Sequence, residues 1–353
     1  MPDLIAPFSR ENAQRAWQLL AHSAGVLIAT HANPDADAVA STLALHLVLR
    51  QHGVQTIPTI GDGRLPPALA FLPDSSELAV LSPTEDSTPP ADCIALVDCA
   101  DPSRLGPLYR AAPQWFDGRV PLINIDHHVT NTRFGLVNLV DPEAAATTEV
   151  LAEWLILLEE PITPPLATCL LSGIYGDTLS LQTSSTRPQT LRLVATLLER
   201  GADLERVVAA LFRSKPYSTV RLWGLALSRA QLRPPIIWTE ITPEMLAESG
   251  ATPAEGEGIV NFLLGVDQTL VAVMFYQQPE NWRVSIRSAS EQIDVAAIAA
   301  QFGGGGHSRA AGCRLPPGPA SRDAFLEAVA MAVADQLQRT GSPYAIAERP
   351  ADP

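Results

Sequence analysis

Short apolar runs alternate with helical periodicity through the first half of the chain. "GVLIAT" (25–30) predicts a strand, "DAVASTLALHLVLRQHG" (37–53) a helix stopped by a glycine, and "VQTIPTI" (54–60) a second strand. "CIALVD" (93–98) and "VPLINID" (120–126) extend the strand series, and "TTEVLAEWLILLEE" (147–160) reads as a long amphipathic helix closed by Pro161. Such alternation is the mark of a parallel sheet wrapped by helices. From about Thr163 to Leu232 the pattern is almost wholly helical, and "IIWTEIT", "TLVAVMFYQ" and "WRVSIRS" then bring strands back with a two-residue period. The expected fold class is α/β. A parallel-sheet N-terminal domain flanked by helices (1–190) leads through a helical connector (191–233) to a smaller α+β C-terminal domain (234–340) and a loose tail (341–353).

The polar residues fall at the strand ends. "IATHANPDADAVAS" sets His31, Asp35 and Asp37 after the first strand, "ALVDCAD" ends another strand on Asp98, and "INIDHH" does the same with Asp126, His127 and His128. In an open parallel sheet these ends line one edge, and ligands bind in the crevice outside it. Asp177 in "SGIYGDT" follows an apolar helix able to pack across the same edge. Each acid taken alone has a plain explanation as a helix cap, a turn residue or a solvated charge. Taken together they would repel one another strongly, and cations resolve that conflict. Aspartates with a minority of histidines and no thiolate form a hard, mostly oxygen site, suited to two divalent ions, Mn²⁺ or alternatively Mg²⁺. A carboxylate-bridged pair of ions holds a hydroxide for in-line attack and stabilises phosphate oxygens, which points to phosphoester hydrolysis.

A second feature lies in "DVAAIAAQFGGGGHSRAAGCRL", where a helix (Asp294 to Phe302) runs into Gly303 to Gly306, then His307 and Arg309. Glycines let backbone N–H groups approach a phosphate, and the flanking imidazole and guanidinium supply charge-assisted bonds. The same run also suits an ordinary helix end and loop. Arg287 in "VSIRSAS" ends a strand, as either a surface arginine or a phosphate clamp.

Composition narrows the partners. The 353 residues carry a net charge of −14, which argues against gripping long duplex nucleic acid through a broad basic face. A small anionic ligand held locally is still compatible. No run approaches the roughly 18 to 20 apolar residues of a membrane span, and the N-terminus lacks a basic, apolar leader, so the protein is expected to be cytoplasmic and free of membrane partners. Cys93, Cys99, Cys169 and Cys313 are too scattered for a disulfide framework and are read as reduced. His22, His46 and His52 lie on helical stretches without acidic clusters and are read as structural.

The motifs "HANPDADAVAS", "VDCAD", "IDHH", "GDT" and "FGGGGHSRAAG", in that order over roughly residues 15 to 340, resemble those of the DHH phosphoesterase family with its DHH-associated C-terminal domain. The resemblance implies one Mn²⁺ on His31, Asp35 and Asp98 and another on Asp37, Asp98, His127 and Asp177, with Asp98 bridging. It implies that Asp126 and His128 orient ligands or face the phosphate. Arg287, Gly304, Gly305, Gly306, His307 and Arg309 would contact substrate from the opposite wall of an interdomain cleft. A chain of this length without sensory segments is similar to the family's bifunctional oligoribonucleases and 3′-phosphoadenosine-5′-phosphate phosphatases. The implied substrates are short RNA, dinucleotides or a nucleoside bisphosphate, and a homodimer is compatible with the chain. A cyclic dinucleotide phosphodiesterase is the nearest alternative. A nucleotide sensor that had lost catalysis would lack a metal ligand, and none is missing. Two departures bear on substrate choice: Leu179 and Leu181 replace the family's glycine and aromatic, and Arg309 replaces an asparagine.

Overall fold

Strands buried on both faces read as continuous apolar runs, and here they build an all-parallel sheet. The structure, a computed structural model, describes residues 8–84, 87–213 and 215–339. The chain forms two units divided between residues 214 and 215. In the first, α1 (Arg10–Ala21) precedes β1 (Gly25–Thr30), α2 (Ala36–Gln51), β2 (Gln55–Ile60), β3 (Cys93–Val97), α3 (Pro107–Ala111), β4 (Leu122–Asp126) and β5 (Val137–Val140). Four further helices follow: α4 (Thr147–Leu157), α5 (Pro164–Asp177), α6 (Pro188–Glu199) and α7 (Leu204–Val208).

The strand order is β2-β1-β3-β4-β5, all parallel. Because the side chains of a strand alternate in direction, Val26 and Ile28 join a core with α1, α2, α4 and α5, while Leu27 and Ala29 join one with Leu105, Leu108 and Trp115 on the opposite face. The order reverses between β1 and β3, so the crevice that ligands favour opens between the ends of these two strands. His31 and Asp98 follow those two ends.

The second unit contains α8 (Tyr217–Ser228), β6 (Gln231–Arg233), β7 (Ile236–Ile241), α9 (Pro243–Ser249), α10 (Ile259–Leu264), β8 (Val271–Gln277) and β9 (Trp282–Ser288). It ends with α11 (Val295–Ala300), β10 (Gly305–His307), β11 (Ala310–Leu315) and α12 (Pro319–Arg339). Its six strands lie in the order β10-β11-β9-β8-β7-β6, with β7 and β8 parallel and the other pairs antiparallel. One sheet face packs Val284, Ile286 and Cys313 against α11 and α12. The other sets Ala272, Met274 and Tyr276 against α8, α9 and α10.

Two expectations meet a different arrangement, and a third falls outside the described residues. Residues 191–233 do not form a separate connector: α6 and α7 bury Leu193, Leu197 and Val207 in the first unit's core, whereas Leu222 and Ala226 of α8 belong to the second unit. The glycine run is only partly a loop, because Gly305 and Gly306 pair with Gly312 and Ala311 as part of β10. The expected tail at 341–353 lies outside the described residues. Among the described residues no helix is long and apolar enough to cross a membrane.

Candidate metal centre

Each strand end on the crevice edge delivers a chemically distinct group. After β1, the buried His31 ring donates from Nδ1 to the Ala32 carbonyl at 2.9 Å, which leaves Nε2 3.4 Å from Asp98 Oδ2. Asp35 caps α2 by accepting the Ala38 N–H at 3.0 Å, so the simple explanation for this residue holds alongside its place in the cluster. Asp37, fully buried in the first turn of α2, reaches α4 instead. Its carboxylate accepts the N–H groups of Thr147 (2.6 Å) and Thr148 (3.0 Å) and the Thr148 hydroxyl (2.7 Å). Asp98 adopts a left-handed backbone, φ +53°, just beyond β3. Such a conformation in a non-glycine residue is strained and is commonest at functional sites. Its Oδ1 accepts the Thr147 hydroxyl at 2.8 Å, while Oδ2 is buried without a hydrogen-bond donor.

Beyond β4, His127 turns Nδ1 to the Ala144 carbonyl at 3.2 Å and brings Nε2 within 3.3 Å of Asp177 Oδ2 and 3.7 Å of Asp98 Oδ1. Asp177 can reach this point because α5 lies very close to α2 and α4. A Cβ on Gly173 would stand 2.3 Å from both Asp37 Oδ1 and Thr148 Oγ1, and one on Gly176 would stand 2.6 Å from Ala36 Cβ. His128 is held differently, with Nδ1 2.7 Å from Asp126 Oδ1, while Asn131 donates to Asp126 Oδ2 at 2.5 Å. Asp126 therefore serves as a support, its oxygens committed to neighbours.

Ligand atoms fall into three groups whose members lie within 4.8 Å of one another: His31, Asp35 and Asp98; Asp37, His127 and Asp177; and Asp98, His127 and His128. The third group is the weakest, because His128 Nδ1 faces Asp98 at 3.6 Å but is already bonded to Asp126. Asp98 touches both of the others through His31 and His127.

The electrostatics describe a cluster short of positive charge. Burial, followed by the charges of Asp98 and Asp177, pushes Asp37 well above the ordinary carboxylate range. Burial also raises Asp177, against a lowering hydrogen bond to His127. For Asp98 burial is outweighed by its contacts with the His31, His127 and His128 imidazoles, and the group is lowered. Burial alone would lower His127, yet Asp177, Asp37 and Asp98 push it up to about 10. His31 is raised by Asp98 and the Ala32 carbonyl despite its burial. Among the described residues no arginine or lysine pairs with Asp35, Asp37, Asp98 or Asp177. Protons thus do the work that cations would do. The residues fit divalent metal: two imidazoles are fixed at Nδ1 by backbone carbonyls with Nε2 turned to the acidic cluster, as metal-binding histidines usually are, and a buried Asp98 oxygen has no donor.

Sequence reasoning missed Thr147 and Thr148. The available signal is that α4 begins after Ala146, which offers no side-chain cap, so its N–H groups need an acceptor from elsewhere. Glu149 was also missed. Fully buried, it accepts the Ala145 N–H at 2.9 Å and so steadies the segment whose Ala144 carbonyl holds His127.

In the second unit, Arg287, Gly304 and Gly305 line a cavity of about 610 Å³ together with Arg283, Ser285, Gly312 and Arg314. Gly304 and Gly306 have packing reasons of their own, since a Cβ on them would stand 2.2 Å from the Gly312 carbonyl oxygen and 2.4 Å from that of Ala310. His307 is exposed on β10. Arg309 is tethered, donating to the carbonyls of Ser288 at 3.3 Å and Ala289 at 3.1 Å.

A mostly oxygen-donor cluster at the switch point of a parallel sheet makes the protein a metal-binding phosphoesterase in class. The chain belongs to the DHH family: residues 25–174 match the DHH family, N-terminal domain, and residues 237–335 match the DHHA1 domain. It is 34% identical over 90% of its length, and 91% of the relative's, to the bifunctional oligoribonuclease and PAP phosphatase NrnA of Thermus thermophilus. Its fold is similar to that of an exopolyphosphatase-related protein from Bacteroides fragilis (TM-score 0.83, 19% identity, 96% of this chain and 99% of that one). It is also similar to RecJ from Thermus thermophilus in complex with Mn²⁺ (TM-score 0.51, 18% identity, 94% of this chain and 56% of that one).

Proposed function

We propose that the protein hydrolyses short oligoribonucleotides and 3′-phosphoadenosine-5′-phosphate with the aid of two divalent ions, Mn²⁺ by preference. The observation that carries this reading is the position of Asp98, in contact with His31 on one side and His127 on the other. One ion would be held by His31, Asp35 and Asp98, and the other by Asp37, Asp98, His127 and Asp177, with Asp98 common to both. When bound, such ions supply Lewis acidity toward phosphate oxygens and a water acidic enough to react at neutral pH.

The protein's own groups do the rest. Thr147, through its hydroxyl on Asp98, and Asp37, through the N-terminus of α4, fix the two central carboxylates relative to each other. Asp126 accepts the His128 Nδ1–H and so fixes the ring, whose Nε2, when it also carries a proton, can donate to a phosphate oxygen or to the departing alkoxide. In the second unit, Arg287 would take a terminal phosphate over the backbone floor formed by Gly304 and Gly305. The relative's name supports both substrate classes. A short-RNA substrate would fit a cytoplasmic location.

The test is a turnover panel with added Mn²⁺, comparing the bisphosphate, linear dinucleotides, cyclic dinucleotides and RNA from two to twenty nucleotides. Short linear substrates and the bisphosphate should turn over fastest. Activity rising steadily with length, or confined to cyclic substrates, would overturn the reading.

A further inference from the structure

Antiparallel partners directly opposite one another on two strands point to the same sheet face with their Cβ atoms roughly 5 Å apart. Arg314 of β11 is the register partner of Arg283 on β9. Like charges in that relationship are destabilising, and among the described residues no carboxylate pairs with Arg283, Arg287 or Arg314. Alternation places Ser285 and Arg287 on the Arg283 side of β9, and Gly312 and Ala310 opposite them. All six line the same cavity of about 610 Å³. Its floor is backbone between the arginines, because Gly312 leaves no room for a side chain: a Cβ there would stand 2.8 Å from the Val284 carbonyl oxygen.

The result is an open trough on a chain of net charge −14, with guanidinium groups at two stations and Ser285 and the Gly312 backbone between them. Arg283 and Arg287 lie four residues apart on one strand, a separation of roughly 13 Å. Successive phosphorus atoms along a nucleic-acid strand are separated by the backbone of one nucleotide, a span well short of this. A nucleoside bisphosphate anchored at Arg287 therefore stops before the Arg283–Arg314 pair, and a longer strand reaches it.

We propose that Arg283 and Arg314 form a second phosphate-binding subsite, which adds affinity only for single strands long enough to extend past the phosphate held at Arg287. This deepens, and rests on, the reading of the protein as a hydrolase of short RNA. The pair supplies two charge-assisted contacts to a single backbone phosphate, while the bare glycine floor lets the sugar–phosphate chain lie flat. The arginines act on binding and leave the chemical step alone.

The test uses the full-length protein in EDTA, where nothing is hydrolysed, and measures binding of oligoadenylates of two to five nucleotides and of 3′-phosphoadenosine-5′-phosphate at several salt concentrations. In the wild type, affinity should step up about tenfold between the dinucleotide and the tetranucleotide. Arg283→Gln/Arg314→Gln should abolish that step, leave the bisphosphate and dinucleotide unchanged, and reduce the tetranucleotide's salt dependence by roughly 1.4 in slope, at about 0.7 per lost contact. The single variants should each show about half the loss, and a thermal melt confirms that all are folded. A wild-type affinity independent of length, or a length step that survives in the double variant, overturns the subsite. Turnover with added Mn²⁺ separates this from the broader reading. If short RNA is hydrolysed but the double variant binds normally, only the subsite fails; if length-dependent binding is lost in the variant but no RNA is hydrolysed, only the reaction fails.

Discussion

Asp37 accepts both the backbone N–H and the hydroxyl of Thr148, across 111 residues of chain. One carboxylate thereby caps α4 and enters the charge cluster. Asp37→Ala should remove the cap, orphan two backbone donors and destabilise the metal-free protein by about 2–4 kcal/mol. Asp37→Asn keeps one acceptor and removes the charge, so it should cost less than about 1.5 kcal/mol while reducing activity below about 1%. Chemical denaturation and Mn²⁺-induced shifts in Tm separate the two effects: wild type should gain stability from Mn²⁺, and Asp37→Asn should not.

The support beneath His128 gives a different signature. Asp126→Asn exchanges the acceptor at His128 Nδ1 for a group that can donate, while leaving His31, Asp98 and His127 in place. The expected loss in kcat is about 10- to 100-fold, with the Mn²⁺-induced rise in Tm retained. Loss of metal stabilisation in this variant would show that His128 itself binds the ion.

Protons and metal compete for the cluster, which sets a pH dependence. His127 is raised from 6.5 to about 10, so the stability it contributes to the metal-free protein is complete below pH 6.5 and is lost as pH climbs through 10. Asp37 and Asp177 are also raised, and their ionisation removes stability in the same direction. Asp98 is lowered and acts oppositely, its contribution being lost only as acid protonates it. The metal-free protein should therefore melt at progressively lower temperature from pH 6.5 upward. Divalent ions should flatten that decline, with metal affinity itself rising over the range. Thermal melts in EDTA and in Mg²⁺ or Mn²⁺ across the series provide the check.

Glu153 offers a cleaner titration away from the cluster. Burial raises it to about 7, against a hydrogen bond from Gln189 at 2.7 Å, and its Oε2 has no partner. A raised carboxylate holds its stability below the unfolded value of 4.5 and loses it as pH passes 7. Glu153→Gln should remove that decline and stabilise the protein at pH 8 by at most about 3 kcal/mol, with no gain at pH 4.5. Urea midpoints at the two pH values test this.

Leu179 stands at φ +48°, half-exposed, in a run where Ser180 and Leu181 are also left-handed. Leu179→Gly should stabilise the protein by about 1 kcal/mol, because the strain of a side chain there exceeds the packing it gains. A fall in stability on denaturant titration would mean that the exposed leucine has an unrecognised contact.

What could be read from the residues follows from how local their causes are. β1 coincides with the run 25–30 because burial on both faces demands apolar side chains at every position. β5 was not foreseen, as "VNLV" is short and Asn138 interrupts it. α1 was not among the expected elements, although Ala13, Ala16 and Leu20 recur at helical spacing on its buried face. The clustering of acids and imidazoles was legible because parallel strand ends share an edge. The partners of those acids were not, since Thr147 and Thr148 acquire their role only when α2 comes to rest beside α4. Arg309 shows the converse: beside the glycines it reads as a ligand to phosphate, yet its guanidinium is tied to the carbonyls of Ser288 and Ala289.

The order of the clustered side chains along the polypeptide sets a timetable for synthesis. His31 leaves the ribosome early, whereas Asp177 stands at the far end of α5. Until that helix emerges and settles against α2, the pocket lacks one of its walls. The ligand group of His31, Asp35 and Asp98 is thus fully synthesised well before the group that needs Asp177, and competence for both waits on α5.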